Sequence, residues 1–222
     1  MLISQQPVRR PLMKGMFHLF AAIAYILATP VLIAKIPPGL EYPLTLYIIS
    51  VIANFGSSAL FHVIKWPKSL IIYPRRLDHI MIFVKIAATY YAVICTILFD
   101  VSSLVIYVLI VGTTVGILTR IFFTKAPKIV IGLPYILMGW AILLDPYVMI
   151  KIIEEFPTGS LMIFIAGMSY TVGACVYIAR YPKGWLPYVG YHELFHMFTV
   201  IGAGLLTVTI FEHGIPYYLS NK

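Results

Sequence analysis

The sequence is poor in charge. Only 11% of its 222 residues are charged, and acids are the scarcest, with 8 Asp and Glu against 16 Lys and Arg. A soluble domain of this length needs more polar surface, so that class is excluded. Cysteine is almost absent. Cys95 and Cys175 fall in separate apolar segments at different depths, which argues against a disulfide and leaves two core thiols. No low-complexity tract or internal repeat is present. No convincing small-residue cleavage site follows the first apolar run, 16–36. That run is also too long for a signal-peptide core of about 7–15 residues, so it reads as a first membrane span. The net charge of +8 could suit nucleic acid, but in so apolar a chain the positives belong to loops on one side of a membrane. No nucleic-acid partner is expected.

What is abundant is apolar length. Of all residues 61% are apolar, and a membrane-spanning helix needs about 20 of them in a row. Seven such runs are expected, at about 16–36, 43–64, 79–98, 101–123, 129–150, 159–180 and 191–211. Pro37-Pro38-Gly39, Pro67, Pro74, Pro127, Pro157 and Pro182-Lys183-Gly184 punctuate the gaps. The fifth run is the weakest, because Pro134 and Pro146 fall in it. The expected fold is all-α: one integral, multi-pass domain over 1–222, a bundle of seven helices.

Basic residues fix the expected orientation. Arg9, Arg10, Lys14, Lys65, Lys68, Arg75, Arg76, Arg120, Lys125, Lys128, Arg180 and Lys183 fall on one side. Lys35, Lys151 and Lys222 fall on the other, with Glu41, Asp100, Asp145, Glu154, Glu155 and Glu212. The N-terminus is therefore expected in the cytosol and the C-terminus on the opposite face. Trp66, Tyr73, Trp185 and Tyr188 read as anchors at the cytosolic interface.

Depth then brings polar residues together. His62 ends the second span, Asp78 and His79 open the third, and His192 and His196 open the seventh. His192 and His196 are four apart, hence on one helix face. Asn54, Ser58 and His62 form a second stripe at the same spacing, and Asp78, Lys85 and Thr89 share a face of the third span. Three imidazoles with a fourth position open suit zinc, which activates water. The expectation is zinc on His62, His192 and His196. Asp78 would act as base or orienter, and Ser58, one turn from His62, would hold water or an oxyanion. Lys85, Asn54 and Thr89 are candidates to line a substrate cavity; the other readings of Lys85 are an ion pair with Asp78, snorkelling toward the cytosol and contact with a lipid headgroup. His18, His79 and His213, taken singly, read as interfacial side chains, and Glu193 as an interfacial charge. The string His192-Glu193-x-x-His196 also matches the zincin motif. Its usual downstream third ligand is missing, since Glu212 and His213 lie about 24 Å further along a helix.

Ser58-x-x-x-His62, Leu77-Asp78-His79 and His192-x-x-x-His196 together resemble the hemolysin III family, which is related to the progestin and adiponectin receptors and to the alkaline ceramidases. The resemblance covers nearly the whole chain. It implies seven helices, a cytosolic N-terminus, and zinc on His62, His192 and His196 with Asp78 and Ser58 nearby. Through the ceramidases it implies hydrolysis of a lipid amide or ester, with membrane lipid as partner. The chain departs from the family's Ala-Gly-Thr-Tyr at Ala87-Ala88-Thr89-Tyr90, and Lys85 interrupts the apolar run before it. Other classes weighed are a receptor-like or structural subunit of a larger membrane assembly, with zinc stapling helices 2, 3 and 7, and a membrane-active cytolysin.

Overall fold

A computed structural model describes residues 13, 15–123, 127–182 and 189–222. Arg9, Arg10, Lys14, Lys125, Lys183, Gly184, Trp185 and Tyr188 lie outside the described residues. Among the described residues the chain is helical and contains no strand. The long helices are α1 (Met16–Ala34), α2 (Glu41–Val63), α3 (Ile72–Thr96) and α4 (Ser103–Phe122). They are followed by α5 (Lys128–Gly139), α6 (Pro146–Glu155), α7 (Pro157–Ala179), α8 (Tyr191–Val208) and α9 (Ile215–Ser220).

Among the described residues, six segments are long and apolar enough to cross a membrane: α1, α2, α3, α4, α7 and the continuous stretch Tyr191–Ser220. Their outer faces carry exposed side chains such as Leu27, Tyr107, Ile110 and Phe122, which suit lipid rather than water. The chain is an integral, multi-pass membrane protein.

The helix ends differ from expectation in three places, each for a backbone reason. Helix α3 begins at Ile72 rather than at 79. Pro74 sits in its first turn, where the missing N–H would have no partner anyway. The 129–150 run is not one helix. It contains α5, with Pro134 inside it, then a short 3₁₀ turn Ala141–Leu144, then α6. Asp145 caps α6 by accepting from Val148 N at 3.2 Å, and its other oxygen accepts from Ser102 N at 2.7 Å. Those two N–H groups, Ser102 first, hold its carboxyl below the usual carboxylate range. The bond to Ser102 also places residue 145 beside the start of α4, so residues 128–144 run back along the length of α4. Last, the final span runs past 211 through a π-helical turn, Thr209–Gly214, into α9. A wide turn there relieves the clash that Pro216 would otherwise make with a preceding carbonyl.

Helix α7 packs on α8, and α2 packs on both α1 and α3. A core of Leu44, Tyr47, Val51 and Phe55 from α2 meets Ala21 and Ala22 of α1 and Ala203 and Ile210 from the last span. The hydroxyls of Tyr25 on α1 and Tyr47 on α2 both meet Thr207 of α8. At the end of the bundle away from the histidines, Lys35 pairs with Glu212, and Lys151 with Asp100 at 3.0 Å.

Gly15 precedes α1 with φ +83, a left-handed conformation that costs other L-residues about 1–2 kcal/mol. A Cβ built there would lie 2.7 Å from Cβ of His62. Gly15→Ala is therefore expected to destabilise the protein by at least about 1–2 kcal/mol, read as a lower midpoint of thermal unfolding in detergent.

Candidate metal centre

Three helices supply the histidine cluster and its carboxylate. His62 lies in the last turn of α2, Asp78 is the seventh residue of α3, and His192 and His196 occupy the first two turns of α8. One nitrogen from each of His62, His192 and His196 lies within 4.8 Å of the others. His62 Nε2 and His192 Nε2 are 3.1 Å apart across 130 residues of chain. The ring centroids are 4.6 Å apart for His62–His192, 5.1 Å for His62–His196 and 4.5 Å for His192–His196. Ligands about 2.0–2.1 Å from a tetrahedral ion sit about 3.4 Å from one another. The cluster fits such an ion with small side-chain adjustment, and neutral imidazole is the donor that zinc takes.

Asp78 joins the cluster. Its Oδ2 lies 3.8 Å from His62 Nε2 and 3.7 Å from His79 Nδ1. Because α3 starts early, Asp78 sits inside a helix rather than at its mouth, yet the depth match with His62 is retained. His79 Nδ1 lies 2.7 Å from the Arg75 carbonyl oxygen, to which it donates, and so is fixed to its own helix. Ser58 is buried one turn before His62, and Asn54 is buried a turn further in.

Two of the proposed cavity residues have other partners. Thr89 gives its hydroxyl to the Lys85 carbonyl at 2.7 Å. Lys85 is buried at 6% exposure. Its ammonium donates to the Tyr170 hydroxyl and lies 4.4 Å from the centroid of that ring and 5.4 Å from that of Phe55. An aromatic cage thus replaces the Asp78 ion pair that the shared helix face allowed. Tyr170 in turn fits against Gly202, where a Cβ would lie 2.7 Å from its ring. A buried cation held by a phenol and two ring faces remains costly. Lys85→Met is expected to raise the thermal unfolding midpoint, corresponding to about 1 kcal/mol or more.

Glu193 is not an interfacial charge. It is 1% exposed, and its Oε2 accepts from Gly190 N at 2.9 Å, which caps α8. That bond commits the carboxylate to the helix terminus, away from the base role it holds in a zincin.

His18 is the residue that the sequence reading undervalued. It is buried at 5% exposure. Its ring stacks on His196 with centroids 3.8 Å apart and planes 11° apart. Its Nε2 lies 2.8 Å from Thr199 Oγ1. The available signal was depth: His18 lies in the first turn of α1, beside the same end of the bundle as the other three.

Comparison with known proteins places the chain in a family. The family model described as Haemolysin-III related matches residues 7–206. The chain is 28% identical over 178 residues to Hemolysin-3 of Bacillus cereus, covering 78% of this chain and 75% of that protein. It is 26% identical over 163 residues to the Hemolysin-3 homolog of Bacillus subtilis (strain 168), covering 73% and 72%.

Proposed function

The chain belongs to the haemolysin-III related family, and from that premise we propose a zinc-dependent membrane hydrolase acting on a lipid amide or ester. The observation that carries the proposal is the convergence of His62, His192 and His196, from two ends of the sequence, to within 4.8 Å. These three residues would hold the ion. When bound, zinc supplies a Lewis acid that polarises a carbonyl and lowers the pKa of water.

The chain's own groups have the remaining roles. Asp78 lies near enough to His62 to accept a proton from water beside the cluster. Ser58 can donate to a developing oxyanion. The cluster sits at one end of the bundle, so a lipid would present its polar linkage there and leave its chains in the membrane.

We propose seven crossings, with α5 and the following 3₁₀ turn as the fifth, supported by the path of 128–144 along α4. The basic loops support a cytosolic N-terminus and therefore a cytosolic histidine cluster.

The test is metal content and turnover of lipid amides and esters by the purified protein. Stoichiometric zinc with turnover is expected. Zinc with no turnover on any such lipid would reject the enzyme and favour a second reading, in which the ion staples α2, α3 and α8 of a structural subunit in a larger assembly. The specific observation behind that reading is the 3.8 Å approach of Asp78 to His62, since a carboxylate in the fourth position closes a zinc site.

A further inference from the structure

The stacked pair His18–His196 has a role that the three-ligand cluster does not use. We infer that His18 is a positioning residue, whose ring sets the plane of His196 and so aims that imidazole at the shared ion. The inference rests on the metal reading above and adds a fourth helix, α1, to the centre.

Three contacts hold the His18 ring in place. Thr199 donates its single hydroxyl proton to the His196 carbonyl at 2.8 Å. At the 2.8 Å contact between His18 and Thr199, the imidazole Nε2–H is therefore the donor. Phe55 lies against the His18 ring at 4.9 Å between centroids, and His196 lies parallel to it at 3.8 Å. A ring so confined cannot turn about its terminal torsion, which is otherwise broad.

His196 is the ligand that most needs such support. It is 2% exposed and sits a turn deeper than His192. Thr199 links the two stacked residues, since it bonds the His196 backbone and the His18 ring at once. Through Thr199, the His18 ring is therefore tied to the backbone of the residue on whose side chain it stacks. Outer-shell hydrogen-bond partners that orient metal-binding histidines typically change metal affinity by about 10–100-fold when removed, and a stacked ring that orients the ligand is expected to act on the same scale.

The experiment uses the full chain in detergent, with zinc affinity measured by chelator competition and the site's geometry by the visible spectrum of the cobalt(II)-loaded protein. His18→Leu keeps volume but no flat face. It is expected to weaken zinc about 10–100-fold and to alter the cobalt spectrum, while the metal-free protein keeps its unfolding midpoint to within a few degrees. His18→Phe keeps the face and should retain affinity to within about threefold, a conservative rescue that a volume effect would not give. Thr199→Val, which leaves both rings in place, should fall between the two and decides the matter if His18→Leu does not fold. Wild-type affinity and spectrum in His18→Leu would overturn the inference. So would equal losses in the Leu and Phe variants that follow their loss of metal-free stability. Absence of zinc from the wild-type protein is a separate result, seen before any variant is made, and would overturn the metal reading together with this one.

Discussion

Asp78→Asn should leave zinc bound and reduce lipid hydrolysis by about 10²–10⁴-fold, the usual contribution of a general base. The amide keeps the size of the carboxylate and loses its basicity. Asp78 stands 3.8 Å from His62 and 3.7 Å from His79, so the change is felt at the cluster without removing an imidazole. Steady-state turnover and metal content, measured on the same preparation, separate the two roles open to this residue. Loss of zinc together with loss of rate would make Asp78 a fourth ligand and the centre a closed, structural one. Unchanged turnover would remove it from the chemistry.

His196→Ala is expected to have the second large effect. Of the three cluster histidines it is the most buried, at 2% exposure, and its ring is within 5.1 Å of His62 and 4.5 Å of His192. Removal leaves two imidazoles, too few for a stable zinc site. Zinc affinity should fall by at least about 100-fold, more than the loss expected for an outer-shell partner, and hydrolysis should fall with it. The cost in stability is a separate quantity, because the truncation also leaves a void under His18. Chelator competition and thermal unfolding therefore need to be read side by side. Retention of full zinc binding would place the ion elsewhere.

The cluster was legible because span ends encode depth. His62 at the end of one apolar run, and His192 with His196 at the start of another, must share a membrane level whatever the side-to-side packing of the helices. Asp78 followed by the same reasoning, although α3 starts at Ile72 and carries it inside the helix. Depth does not give azimuth. The apolar residues of α1 go all the way round it, so nothing in its pattern shows which face meets α8, and the stacking of His18 on His196 could not be read. Lys85 illustrates the same gap. Its helix face was legible, whereas the ring of Tyr170, 85 residues away, was not. The break in 129–150 was signalled by Pro134 and Pro146, but the sequence does not say whether prolines kink a span or end one. The partner of Asp145, the N–H of Ser102, settles where that segment leads.

The central claim is that His62, His192 and His196 share one ion. An anomalous-difference map at the zinc absorption edge, from crystals of the full chain, tests it most directly. One peak is expected, about 2.0–2.1 Å from a nitrogen of each of the three rings. A map with no peak among them, or with a peak that His62 does not reach, would contradict it.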